Sequence, residues 1–224
     1  MAFDYQQKTK GYYQSADVAS SYHAAFAGAR GWQMLRSRVV ASRERRVVAQ
    51  FLQGIAHDRS LDLPAGTGKL APVFAAFGGT VVACDISAQM LEIARQEYPA
   101  AGCTEVTFRV CDAEQITGTL QQRFDVAVCL RLLHRVPSEV RERILAELAA
   151  SGDHVIASMG IETNYHRARR HVRSWIFGDG TDPLCYESFS AVESQFRTYF
   201  DILARRWILP GLSQEIIFLL RPKT

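Results

Sequence analysis

Ser60-Leu61-Asp62-Leu63-Pro64-Ala65-Gly66-Thr67-Gly68-Lys69-Leu70 is the stretch whose reading decides the fold. A short apolar strand ends in an acid and runs into a turn of small residues, with a helix candidate over 70–77 behind it. Gly66 and Gly68 allow positive φ and a close approach of backbone to a ligand. The turn lies at the carboxyl end of a strand, where open α/β sheets bind their ligands. Two nucleotide motifs lay claim to these residues. A phosphate-binding P-loop needs glycine five positions before Gly68 and Ser or Thr after Lys69. Leu63 and Leu70 stand there, so the magnesium ligand is missing and that reading is rejected. A dinucleotide fingerprint is met at Gly66 and Gly68, with Ala71 in the third place, and an NAD(P)-dependent oxidoreductase stays open as an alternative.

Outward from the turn, strands and helices alternate. Strand candidates are 60–63, 80–84, 105–110, 124–130 and 154–158. Helix candidates lie at 70–77, 88–97 and 138–150, with a short turn around 113–116. This alternation predicts a parallel sheet with helices on both faces, doubly wound through right-handed crossovers. Upstream, 32–56 reads as a long helix with an apolar stripe through Leu35, Val39, Val48, Phe51 and Leu52 and a face of arginines. Downstream, 161–200 is rich in Arg, His and aromatics, with Gly178, Gly180 and Pro183 as breakers. Two last strand candidates, 199–208 and 214–220, flank Pro210-Gly211 and suggest an antiparallel hairpin.

The chain has 224 residues, a net charge of +3 and 48% hydrophobic residues, an ordinary globular composition. So mild a charge does not argue for nucleic acid. The five cysteines include no C-x-x-C pair, so no metal site is expected. A polar start and the absence of an apolar run near ~18 residues argue against a signal peptide and a membrane span. The expectation is a cytoplasmic protein.

Three further elements follow the turn in order. Val81-Val82-Ala83-Cys84-Asp85 is a strand ending in an acid, and a carboxylate there can accept both hydroxyls of a ribose. Asp85 or Ser87 can equally cap the next helix. After the third strand, Asp112 and Ala113 can flank an adenine: the carboxylate accepts from the exocyclic amine and the adjacent N–H donates to the ring. The fourth strand, 124–130, is followed by Arg131-Leu132-Leu133-His134.

Over roughly residues 57–158 the chain resembles the class I S-adenosylmethionine (SAM)-dependent methyltransferase family. The resemblance implies an α/β, Rossmann-like, doubly wound, mostly parallel seven-stranded sheet with a C-terminal antiparallel hairpin. It implies SAM as cofactor. Asp62, Gly66 and Gly68 match the turn that holds the methionine portion, and Asp85 matches the ribose acid. Ile86 and Met90 match apolar neighbours of the adenine, and Asp112 and Ala113 its polar edge. Leu130 matches the residue where backbone meets the methionine amino group. One departure is Pro64, which stands where the family usually has its first glycine; it fixes φ and removes one donor.

Methyl transfer from a sulfonium is an in-line displacement in which the protein supplies alignment and electrostatics. An oxygen or nitrogen nucleophile can need a base, and His134 is the candidate, near the expected methyl position. Tyr12, Tyr13 and Tyr22 resemble an N-terminal aromatic lid. Arg131 and Arg135, with Arg167 and Arg170 after the fifth strand, can ring the acceptor with positive charge. They predict a small anionic acceptor bearing a carboxylate or a phosphate, sugars included. RNA is the competing acidic partner, disfavoured by the near-neutral charge. The Asn-Pro-Pro-aromatic pattern of base amine methyltransferases is absent after Asp125, where Leu130-Arg131-Leu132-Leu133 stands. A SAM-binding protein without catalysis is a further alternative. The expected layout is a helical lid or cap over 1–56 and a SAM-binding domain over 57–224, with a substrate-side insertion at about 160–198. A monomer or homodimer without a membrane partner is expected.

Overall fold

A computed structural model describes residues 32–162, 186–210 and 213–223, with the side chains of 32–37 left aside. The elements run in the expected alternation. They are α1 (Trp32–Leu52), β1 (Arg59–Asp62), α2 (Ala71–Phe77), β2 (Thr80–Asp85), α3 (Ala88–Ala100), β3 (Val106–Val110), α4 (Ile116–Leu120) and β4 (Phe124–Cys129). A 3-10 turn (Leu133–Arg135), α5 (Ser138–Ser151), β5 (Gly152–Gly160), α6 (Phe189–Tyr199), β6 (Phe200–Trp207) and β7 (Glu215–Pro222) complete them.

The strands form one seven-stranded sheet in the order β3-β2-β1-β4-β5-β7-β6. The first five pair in parallel. The last strand inserts between β5 and β6 and runs antiparallel to both, so the hairpin closes the sheet. Asp62 and Asp85 end the neighbouring strands β1 and β2 at the carboxyl edge of the sheet, and the strand order reverses between β1 and β4.

Period-two alternation splits the core in two. Leu61, Ala127, Cys129, Val155 and Ala157 face α4, α5 and α6, where Ile116, Leu145 and Phe196 pack. Val81, Ala83, Val126, Val128 and Ile156 face α1, α2 and α3, where Val48, Phe74 and Leu91 pack. A strand covered on both faces must be apolar at successive positions, which is why 126–130 reads as an unbroken apolar run.

Three expectations need correction. The helix α6 was not foreseen; Ser188 caps it by accepting from Ala191 N–H at 3.3 Å, and Val192 and Phe196 anchor it in the core. The turn placed around 113–116 is present, with Gln115 N–H donating to Asp112 O at 2.9 Å, but the short helix that follows it from Ile116 was not foreseen. Val39, assigned to the buried stripe of α1, is 40% exposed, and burial starts at Glu44, Val47 and Val48.

Candidate active site

A cleft opens at the carboxyl edge of β1, β2 and β4 and is roofed by α1. Of the residues singled out from sequence, Asp62, Pro64, Gly66, Asp85, Ile86, Met90, Leu130, Arg131 and Arg135 line it. The turn is held from three sides. Leu63 N–H donates to Val128 O (3.0 Å), Ala65 N–H to Cys84 O (2.7 Å) and Gly68 N–H to Ala65 O (3.0 Å). The Leu63–Pro64 peptide is cis.

The two glycines have different duties. Gly66 has φ +52, and no atom lies within 4 Å of where a Cβ would sit, so bare backbone faces open space. Gly68 has φ +79 but does not line the cleft. A Cβ there would meet Glu97 Cβ at 3.0 Å and Tyr98 Cδ2 at 3.2 Å, so its smallness serves the packing of the turn on α3.

Asp85 bridges the turn to the next helix. Its Oδ2 accepts from Gly66 N–H at 2.8 Å and its Oδ1 from Ser87 N–H at 2.9 Å. Burial raises its pKa while these backbone donors hold it down. The cap of α3 is Ser87, whose Oγ accepts from Met90 N–H at 3.3 Å, so the carboxylate of Asp85 is not spent on capping. A carboxylate has about four acceptor sites, and Asp85 keeps capacity on the cleft side.

Asp62 is 1% exposed. Burial pushes its carboxyl from 3.8 up to about 7, against the lowering pull of the Tyr98 hydrogen bond; the charge of Asp85 adds to the rise. Tyr98 Oη donates to Asp62 Oδ2 at 2.5 Å. Such a carboxyl is stabilised by a cationic group arriving beside it.

Beyond β4 the cleft becomes cationic. Arg131 adopts φ +60, a left-handed conformation that a non-glycine residue holds only when its surroundings over-determine it. Its N–H donates to Ser158 Oγ at 2.7 Å. Its guanidinium grips the carboxylate of Glu44 from α1 through two bonds, Nε to Oε1 at 2.7 Å and Nη2 to Oε2. Glu44, Arg45 and Lys69 line this end as well, and none had been assigned a role from sequence. Burial draws the Lys69 ammonium from 10.5 down to about 8; Arg131 and Arg135 act the same way, and Glu44 opposes them.

His134 lies elsewhere. It is 5% exposed and is not among the lining residues. Its ring stacks on Tyr186 with centroids 5.8 Å apart, and Gly160 makes room for that tyrosine, since a Cβ there would sit 2.0 Å from its ring. Burial, with Arg135, Arg131 and Arg141 behind it, lowers the imidazole to about 3. A ring so placed and so weakly basic does not fit the base expected of it. Asp112 and Ala113 also stay off the cleft wall. Asp112 Oδ1 accepts from Glu114 N–H at 3.0 Å, and Cys111 N–H donates to Asp85 O at 3.0 Å, which sets the pair beside the end of β2. Tyr12, Tyr13, Tyr22, Arg167 and Arg170 lie outside the described residues. Among the described residues no helix is long and apolar enough to cross a membrane.

Residues 61–151 match the sequence profile of the methyltransferase domain. Over this stretch the chain is similar to SAM-dependent methyltransferases. The chain is 35% identical over 112 residues to a ubiquinone biosynthesis O-methyltransferase of Alkalilimnicola ehrlichii, a match covering 50% of this chain and 45% of that protein. A protein of the same description from Vibrio vulnificus is 29% identical over 125 residues, 55% of this chain and 49% of the relative. The chain thus spans about half the length of the curated relatives it matches. Among solved structures, magnesium protoporphyrin IX methyltransferase from Synechocystis PCC 6803, with bound S-adenosylhomocysteine (SAH), superposes with a TM-score of 0.80. The identity is 18%, over 97% of this chain and all of that one, and it is the fold that the two share.

Proposed function

We propose that this chain binds SAM in the cleft and transfers its methyl group to an oxygen or nitrogen of a small acceptor carrying a carboxylate or phosphate, sugars included. The observation that carries the reading is the pairing of Asp62 and Asp85 around the bare backbone of Gly66. Gly66 is the cradle: a side chain would fill the space that a ligand needs. Asp85 holds the ribose hydroxyls, and Ile86 and Met90 flank the adenine. Asp62 and the Leu130 backbone take the methionine ammonium, and Asp112 and Ala113, set off the cleft wall beside the end of β2, meet an adenine that extends past Asp85.

SAM supplies an activated methyl carbon on a sulfonium. The residues of this chain orient it and exclude water. Arg131 and Arg135 orient the acceptor through its negative charge, which supports the anionic reading. In the proposed layout 57–224 is the catalytic domain, 1–56 its cap and about 160–198 a substrate-side insertion. Relatives named as ubiquinone biosynthesis O-methyltransferases support a hydroxyl acceptor.

Calorimetric titration of the full chain with SAH tests the reading. Saturable binding in the micromolar range is expected. No heat at millimolar SAH removes the proposal.

A further inference from the structure

The acceptor end of the cleft gathers cations from separate parts of the chain. Lys69 comes from the turn before α2, Arg131 from the loop after β4 and Arg135 from the 3-10 turn. Glu44 of α1 engages Arg131. Crowding like charges in a half-buried place disfavours the charged forms; at Lys69 burial acts first against the proton, Arg131 and Arg135 add to it, and Glu44 opposes them. A negative group placed among the three relieves that cost.

We infer that Lys69, Arg131 and Arg135 form one subsite for an oxyanion, a carboxylate or a phosphate-like dianion, on the molecule filling the acceptor end. The inference rests on reading the cleft as a methyl-transfer site, and it adds Lys69 as the residue that selects for charge. An ammonium is a compact point charge and takes any oxyanion. The guanidinium of Arg131 is already oriented by its side-on grip on Glu44.

Protons follow from this arrangement. The groups facing Lys69 are Arg131, Arg135 and Glu44. Glu215, at the start of β7, faces Glu44 and the same two arginines, and burial with the Glu44 charge raises it. An anion binds the charged Lys69, so affinity is full below about pH 8 and falls above it. Ionisation of Glu215 weakens the anion in the same direction.

The test titrates the SAH-saturated full chain with sodium sulfate and with sodium benzoate, against sodium chloride at equal ionic strength, following heat and thermal shift. Saturable binding of either at pH 7 is expected. A preference for sulfate assigns a dianion, and a preference for benzoate a carboxylate; both support the subsite. Lys69→Met should raise Kd at least tenfold with SAH affinity within twofold. Lys69→Arg should keep binding at pH 7. In a Glu215→Gln background it should lose the decline toward pH 9, which reaches about tenfold where Lys69 is present. If Lys69→Met does not fold, the pH profile of Lys69→Arg carries the decision. A response no greater than chloride, or an unchanged profile in Lys69→Arg, overturns the inference while SAH binding leaves the methyltransferase reading standing. Competition between sulfate and SAH also overturns it, assigning the cations to the methionine carboxylate. Absence of SAH binding removes the parent reading instead.

Discussion

The two ends of the cleft are built from different materials. At the proposed cofactor end, backbone does the holding: Gly66 N–H and Ser87 N–H on Asp85, and the turn tied to Val128 and Cys84. Its charges are buried carboxylates. At the acceptor end, long side chains from α1, the turn and the β4 loop meet, and most of the charges are cations. The first end recognises one fixed molecule with parts that are also structural, so changes there disturb the fold. The second presents its charges on long side chains, Lys69 from the turn before α2 and Arg135 from the 3-10 turn. The ends also answer pH in opposite senses. Ionising Asp62 favours a cationic ligand as pH rises through about 7, whereas losing the Lys69 proton disfavours an anion above about 8.

The largest expected break in this contrast comes at Asp62. Its carboxyl ionises near 3.8 when unfolded and about 7 when folded. The folded state keeps the proton longer, so Asp62 contributes a loss of stability as pH rises from about 4 to 7 that levels off above; buried His134, lowered to about 3, acts in the opposite sense and Glu215 in the same one. The Asp62 contribution is on the order of 4 kcal/mol. Asp62→Asn should remove that contribution, read as the difference from wild type in urea denaturation at pH 4.5 and 7.5, and should flatten the rise in SAH affinity over the same range. A slope equal to wild type would show that Asp62 does not carry it.

A smaller effect is expected at Gly68. Valine there must take φ near +79 and push against Glu97 and Tyr98. Strain and overpacking should cost about 3 kcal/mol together, read as a lower denaturation midpoint. Stability within 0.5 kcal/mol of wild type, as is usual for surface substitutions, would separate the turn from the fold and blur the contrast between the ends.

The smallest effect belongs to His134. General bases contribute about 10²–10⁴-fold. His134→Asn should lower kcat by less than tenfold with any acceptor that the wild type turns over, in keeping with its place against Tyr186. A hundredfold loss, with stability intact, would restore it as the base.

What could be read ahead of the structure follows from the range over which each signal acts. The strands were legible because a sheet covered on both faces writes its burial into consecutive residues, as in Val126-Ala127-Val128. The turn was legible because Gly66, Gly68 and Asp62 carry their chemistry locally. Helix α6 was hidden by the breakers upstream, although Ser188, Val192 and Phe196 held a cap and helical spacing. Glu44 had no local signal, since its partner stands across the fold in another loop. Lys69 was visible only as the lysine of a failed phosphate motif. Its character comes from Arg131 and Arg135, brought by a different strand. His134 was correctly placed after β4 in order, but the 3-10 turn directs it inward, and a direction of that kind is set by tertiary packing.

The grip of Arg131 on Glu44 has a consequence for how the molecule assembles. That contact joins residues 87 apart in the chain, whereas the Gly66–Asp85 contact joins residues only 19 apart. Closing the longer span costs about 1.3 kcal/mol more in chain entropy. The Gly66–Asp85 contact closes between near neighbours, whereas the Arg131–Glu44 contact needs a distant helix in place.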